Sequence, residues 1–157
     1  MKGKIENLSL DEWFLALQLD KIKHGFHLPF YLKADVSHFV KKYEGKTLVI
    51  EIWASWCSDC VKAMPKIKEL QANNPEVAYL FISMDKTADK WKTGIEKHEL
   101  KGDHFMANDQ MKGVFAKAMD VNWIPRYIIV DKTGKIALYK AIETDFDIIN
   151  ETLKKLK

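Results

Sequence analysis

The stretch spanning residues 48–65, L-V-I-E-I-W-A-S-W-C-S-D-C-V-K-A-M-P, constrains this chain more than any other. Residues 48–53 are apolar apart from one acid, Glu51. Such a run fits a strand covered on both faces, in the middle of a parallel or mixed sheet. A turn follows, and Cys57 and Cys60 then open a helix with Ala63, Met64, Ile67 and Leu70 on its inner side. Two thiols at that spacing can close a small disulfide ring. The first also faces the unpaired N–H groups and positive dipole end of the helix, which favour thiolate. The unit is suited to redox chemistry.

A chain of 157 residues is about one domain, long enough to bury its own core. Nearly half the residues are apolar, with 7 glycines and 4 prolines, which argues against disordered and fibrous classes. Net charge is only +3, and of the 25 basic residues Arg126 is the single arginine. The lysines are scattered among acids, so the basic stripe of a nucleic-acid binder is missing and no such partner is expected. Both cysteines lie in the one motif, leaving none for a structural disulfide. No signal segment is recognisable at the start, and no apolar run approaches a membrane span.

Before the central unit, Ser9 and Glu12 form a capping box with Leu8 and Trp13 as its staple. The helix that follows carries Leu10, Trp13, Phe14 and Leu17 on one stripe and ends at Gly25. His24 and His27 flank the linker, and Pro29 precedes a short extended piece over 30–32. Asp35 caps a second helix with Val36, Phe39, Val40 and Tyr43, closed by Gly45. Residues 1–45 therefore read as a helical layer packed on a core domain of 46–157. Beyond the motif, the pattern predicts a buried strand over 77–84 and a helix over 88–98 facing inward through Trp91 and Ile95. A short strand over 104–107 comes next, then a helix capped by Asn108 with Met111, Val114, Phe115, Ala118 and Met119 on one stripe. Strands over 126–130 and 136–139 are joined by D-K-T-G-K, with glycine where positive φ is expected. Thr144 starts a last helix that buries Phe146, Ile149, Leu153 and Leu156.

Residues 46–157 resemble the thioredoxin superfamily, and within it the bacterial TlpA-like thiol–disulfide oxidoreductases. Trp56-Cys57-Ser58-Asp59-Cys60 stands where the family has W-C-x-x-C, and Pro65 where its active-site helix is kinked. Glu51 occupies the place of the family's buried acid, and Ile124-Pro125, just before a strand, that of its cis-proline. The resemblance implies an α/β fold with a central mixed sheet flanked by helices.

It also implies roles. Cys57, exposed at the turn, is the expected nucleophile, and Cys60 resolves the mixed disulfide. Trp56 shields the pair. A carboxyl inside a central strand is costly unless neutral or paired. Glu51 is thus either a salt-bridged structural acid or the proton acceptor for Cys60. Many thioredoxins set a lysine near this acid on the next strand, and aligning the strands puts Phe81 there. A cis bond at Pro125 leaves the Ile124 backbone open to an extended substrate. Trp123 and Arg126, where the family tends to have a small residue and a threonine, are expected to form a substrate lip, unless Trp123 instead covers the N-terminal helices. Ser58 and Asp59 tune the pair, and Asp59 stands where proline is usual. Its charge offsets the helix dipole and disfavours thiolate, which favours a reductant.

The expected activity is reduction or exchange of disulfides in protein substrates, by a monomer without bound cofactor or metal, recharged by an upstream thiol donor. The compartment is the periplasm or cell envelope if a signal or anchor was removed, and otherwise the cytoplasm. A zinc site would need two further ligands, for which His24 and His27 are the close-spaced candidates. A c-type haem would need histidine where Val61 stands. A peroxiredoxin-like peroxidase would need threonine and proline before a lone cysteine, and a copper chaperone a wider cysteine spacing and a late histidine. This sequence has neither pattern.

Overall fold

The computed structural model describes residues 42–107, 110–113, 116–117 and 119–157. The capping box at Ser9, both helices expected before Tyr43, and most of the proposed 1–45 layer lie outside the described residues.

Five strands form one sheet: β1 (Leu48–Trp53), β2 (Ala78–Ser83), β3 (Asp103–Met106), β4 (Arg126–Val130) and β5 (Ile136–Ala141), in spatial order β3-β2-β1-β4-β5. β1 runs parallel to β2 and β2 to β3, whereas β4 is antiparallel to β1 and β5 to β4. The sheet is mixed, as expected. β1 lies at its centre and is buried at every position, which accounts for a run that is apolar but for Glu51.

Among the described residues, the α-helices that accompany the sheet include α1 (Ser58–Asn73), α2 (Ala88–His98) and α3 (Phe146–Lys155), and Ala116 and Lys117 are helical as well. The crossovers β1–α1–β2 and β2–α2–β3 step the same way across the sheet, so right-handed connections put both helices over one face. Lys68 of α1 meets Glu99 just after α2 at 3.1 Å, and Gln71 donates to the Lys101 carbonyl at 2.6 Å. On α1 the buried stripe is Cys60, Ala63, Met64, Ile67 and Leu70, the set that helical spacing predicts. α3 buries Phe146, Ile149 and Leu153, and Phe146 meets Tyr127 of β4 edge-on at 5.3 Å. On α2, Trp91 and Ile95 are only half-buried, and the residue pressed fully inward is Gly94.

The helix predicted from Asn108 is not a single α-helix. Gln110–Lys112 is a short 3-10 turn whose first residue has φ 54, a left-handed conformation that an α-helix cannot pass through. Asn108, Val114, Phe115 and Ala118 lie outside the described residues, while Met119 is fully buried. In the β4–β5 turn, Asp131 Oδ1 accepts from the N–H groups of Thr133 and Lys135 at 2.8 and 3.0 Å. Lys42 and Tyr43 both reach the Asp103 carboxylate, which fastens the segment before β1 to edge strand β3.

Candidate functional site

β1 ends at Trp53, and a turn closed by Cys57 N–H donating to Ala54 O at 3.1 Å leads into α1. Cys57 is the N-cap of α1, and its Sγ accepts from Cys60 N–H at 3.1 Å. That bond fills one of the orphan donors at the helix start. The two cysteines form a disulfide with Cα atoms 5.3 Å apart. Cys57 is 7 % exposed and Cys60 fully buried. Cys57 is thus the more accessible of the two, though less open than a residue exposed at the turn. Pro65 lies inside α1, where its missing N–H leaves the Val61 carbonyl without a helical partner. Ser58 is exposed and Asp59 half-buried, both in the first turn of α1.

The facing wall comes from the loop before β4. The Ile124-Pro125 peptide bond is cis, and Cys57 Sγ lies 3.6 Å from the Ile124 carbonyl oxygen. Trp56 (57 % exposed) and Trp123 (49 %) each stand one residue along the chain from these contacting groups. Trp123 donates its indole N–H to Glu143 at 3.0 Å.

Arg126 forms no lip. It is 2 % exposed, since its position opposite Ile52 in the sheet sends it inward. Its guanidinium donates to the Asp120 carbonyl at 3.3 Å and to Asn122 Oδ1 at 3.0 Å, and burial lowers its pKa. Arg126 therefore braces the loop that presents Trp123 and Ile124.

Glu51 sits inside β1 with Phe81 opposite on β2 and Tyr127 opposite on β4. The lysine position of many relatives is thus taken by an aromatic ring. Oε1 accepts from Tyr127 OH at 3.4 Å, and Oε2 has no partner among the described residues. Burial pushes the carboxyl up from 4.5 to about 8, against a smaller downward pull from Tyr127. Among the described residues, no cation pairs with Glu51 as the salt-bridged alternative would need.

Sequence reasoning missed Tyr127 as the partner of Glu51. It also missed a buried polar cluster beneath the motif, in which Asp85 accepts from Ser55 and Ser83. An acid directly after a buried strand, in F-I-S-M-D, was the available signal. His24 and His27 lie outside the described residues. Among the described residues, no group of three or more His, Cys, Asp or Glu could hold a metal ion, and no helix is long and apolar enough to cross a membrane.

A family model described as thioredoxin-like matches residues 45–136. The thiol-disulfide oxidoreductase ResA of Bacillus thuringiensis subsp. konkukian is 26% identical over 142 residues, spanning 87% of this chain and 80% of the relative. Among solved structures, a thiol-disulfide oxidoreductase from Bacteroides fragilis superposes with a TM-score of 0.61 at 26% identity, covering 71% of this chain and 84% of the other. A secreted Mycobacterium tuberculosis disulfide oxidoreductase homologous to E. coli DsbE gives a TM-score of 0.59 at 19% identity, covering 74% and 86%. At that identity the likeness concerns the fold alone.

Proposed function

Because the chain belongs to the thioredoxin-like family, we propose that it is a thiol–disulfide oxidoreductase that reduces disulfides of protein substrates through Cys57 and Cys60. One observation carries the reading: the Cys57–Cys60 disulfide sits at the start of α1, with Cys57 Sγ 3.6 Å from the Ile124 carbonyl. An extended substrate strand bound along Ile124 would bring its own disulfide to the one sulfur of the pair that solvent can reach.

In the reduced protein the Cys57 thiolate attacks a substrate sulfur, the substrate S–S bond breaks, and its second sulfur leaves as thiolate. Cys60 then loses its proton and attacks the Cys57 sulfur. The mixed disulfide breaks, the second substrate thiolate departs, and the Cys57–Cys60 bond forms. Two electrons pass from the pair to the substrate, and an external thiol donor restores the dithiol. Glu51, raised to about 8, is a more basic carboxylate than an exposed one and in its ionised form accepts the proton that Cys60 gives up. Trp56, Trp123, Ile124 and Pro125 form the substrate groove. Ser58 and Asp59 border the pair, and the Asp59 charge favours the disulfide form, hence a reductant.

The test is a pair of variants. Cys57→Ser is expected to abolish insulin reduction, and Cys60→Ser to accumulate a mixed disulfide through Cys57, read by mass spectrometry. Reaction of Cys60 with an alkylating reagent while Cys57 stays inert would reverse the assignment.

A further inference from the structure

Asp85 lies just beyond β2 and is buried, yet the chemistry above makes no use of it. Its carboxylate is saturated with donors. Ser55 N–H approaches Oδ1 and Oδ2 at 3.2 and 3.1 Å, the Ser55 hydroxyl donates to Oδ1 at 2.6 Å, and the Ser83 hydroxyl donates to Oδ2 at 2.7 Å. Ser83 Oγ in turn accepts from Asp85's own N–H at 2.9 Å, which fixes how the carboxylate is turned. Charge-assisted bonds of this kind are about twice as strong as neutral ones and are stronger again away from water.

What these bonds hold is the turn of the redox pair. Ser55 is the second residue of the 54–57 turn, and its N–H and hydroxyl are both committed to Asp85. That turn delivers Cys57 to the N-cap of α1, where Sγ accepts from Cys60 N–H. α2 closes the other side. A Cβ at position 94 would stand 3.0 Å from Ser55 Cβ and from the Trp53 ring, so a larger residue there would push Ser55 or Trp53 aside by a few tenths of an ångström. Ser55 is held by hydrogen bonds on one side and by helix packing on the other.

We infer that Asp85 is a positioning residue for the dithiol: by engaging both donors of Ser55 it locks the 54–57 turn and keeps the Cys57 sulfur on the helix N-terminus. The inference rests on the dithiol reading above and adds to it a residue outside the motif, the central strand and the proline loop. Asp85 acts through geometry rather than charge. Its charge is spread over its donors, and a bare negative charge at that place would disfavour the Cys57 thiolate. The ionisable groups on the elements around Cys57 include Asp59, Lys62, Lys66, Lys68 and Glu69 on α1, Glu51 on β1, Arg126 and Tyr127 on β4, and Glu143 beside Trp123. Ser55 bonds to none of them among the described residues.

The experiment follows Cys57 alkylation against pH in the fully reduced chain by mass spectrometry, alongside insulin reduction. Asp85→Ala is expected to move the alkylation midpoint up by about half a unit, the size of a lost helix-end interaction, and to slow insulin reduction several-fold. Asp85→Asn keeps an oxygen for Ser55 and offers an N–H to Ser83 Oγ, so its midpoint is expected within about 0.2 unit of the unsubstituted chain. Ser55→Ala loses the hydroxyl alone and is expected to fall between the two. It carries the test if Asp85→Ala does not fold. An unmoved midpoint in Ser55→Ala, or in folded Asp85→Ala, overturns the inference. So does a downward shift in Asp85→Asn, which would show charge rather than position at work. A reduced chain that alkylates normally but leaves insulin oxidised sinks the functional reading alone, because the midpoint still reports on Asp85.

Discussion

Tyr127 stands opposite Glu51 across the β1–β4 ladder and donates its phenolic hydroxyl to Oε1 at 3.4 Å. The bond is long and uncharged, so it offsets little of the cost of burying a carboxylate. Raised to about 8, Glu51 is mostly protonated at neutral pH. Function and stability then make opposite demands on one side chain.

The stability side comes first. With a folded pKa of about 8 above the ordinary 4.5, Glu51 takes up a proton on folding. Stability is full below about 4.5 and falls as pH rises toward 8. At pH 7 the penalty is on the order of 3 kcal/mol. Glu51→Gln cannot ionise and is expected to raise the melting temperature at pH 7 by roughly 5–10 °C, with little gain at pH 4. A lower melting temperature at both values would point to a structural role instead.

The catalytic side runs the other way. In Glu51→Gln the proton of Cys60 has no nearby acceptor, so release of the mixed disulfide is expected to slow by about tenfold or more. The deficit should be widest around pH 8, where Glu51 is largely ionised while unaided thiolate is still scarce, and should narrow in acid, where Glu51 is already protonated, and in strong alkali. Single-turnover kinetics read this directly, and a rate equal to the unsubstituted chain's across the pH range would refute it.

Tyr127→Phe removes the donor that pulls the Glu51 carboxyl down. The midpoint is expected to rise by roughly half a unit, a hydrogen bond's worth. Titration of a carbon-labelled Glu51 carboxyl by NMR measures it. No shift would mean that the two side chains do not bond in solution.

Asp59→Asn removes a negative charge from the first turn of α1, where the dipole stabilises thiolate. The reduced form gains, and the potential should rise by roughly 10–20 mV from a starting value near thioredoxin's ~−270 mV. Equilibration with glutathione gives both numbers. A starting potential above that of the glutathione pool would reverse the direction assigned to the enzyme.

Much of this was legible because the signals were local. The apolar run around Glu51 marked a central strand, and equal strand lengths brought Phe81 opposite it. The helix that Cys57 and Cys60 open was announced by the periodic Ala63, Met64, Ile67 and Leu70 behind them. What escaped depends on neighbours distant in the chain. Tyr127 meets Glu51 only because β4 returns antiparallel beside β1, 76 residues later. Arg126 read as surface because arginine usually is, whereas its sheet position turns it inward onto carbonyl groups that no local pattern reveals. Asp85 and Ser55 are 30 residues apart and meet because β1 and β2 end side by side.

The central position of β1 has a consequence for how the molecule breathes. Hydrogen-bonded to β2 on one side and β4 on the other, its amides can exchange with solvent only when the sheet comes apart. The edge strands β3 and β5 can fray without disturbing it. The sulfur pair is thus mounted at the end of the segment that opens last, and thiol and disulfide can interchange through many cycles while the scaffold beneath them stays shut. Amide exchange in β1 should therefore run at the slow rate of global unfolding in both redox states, whatever the turn above it is doing.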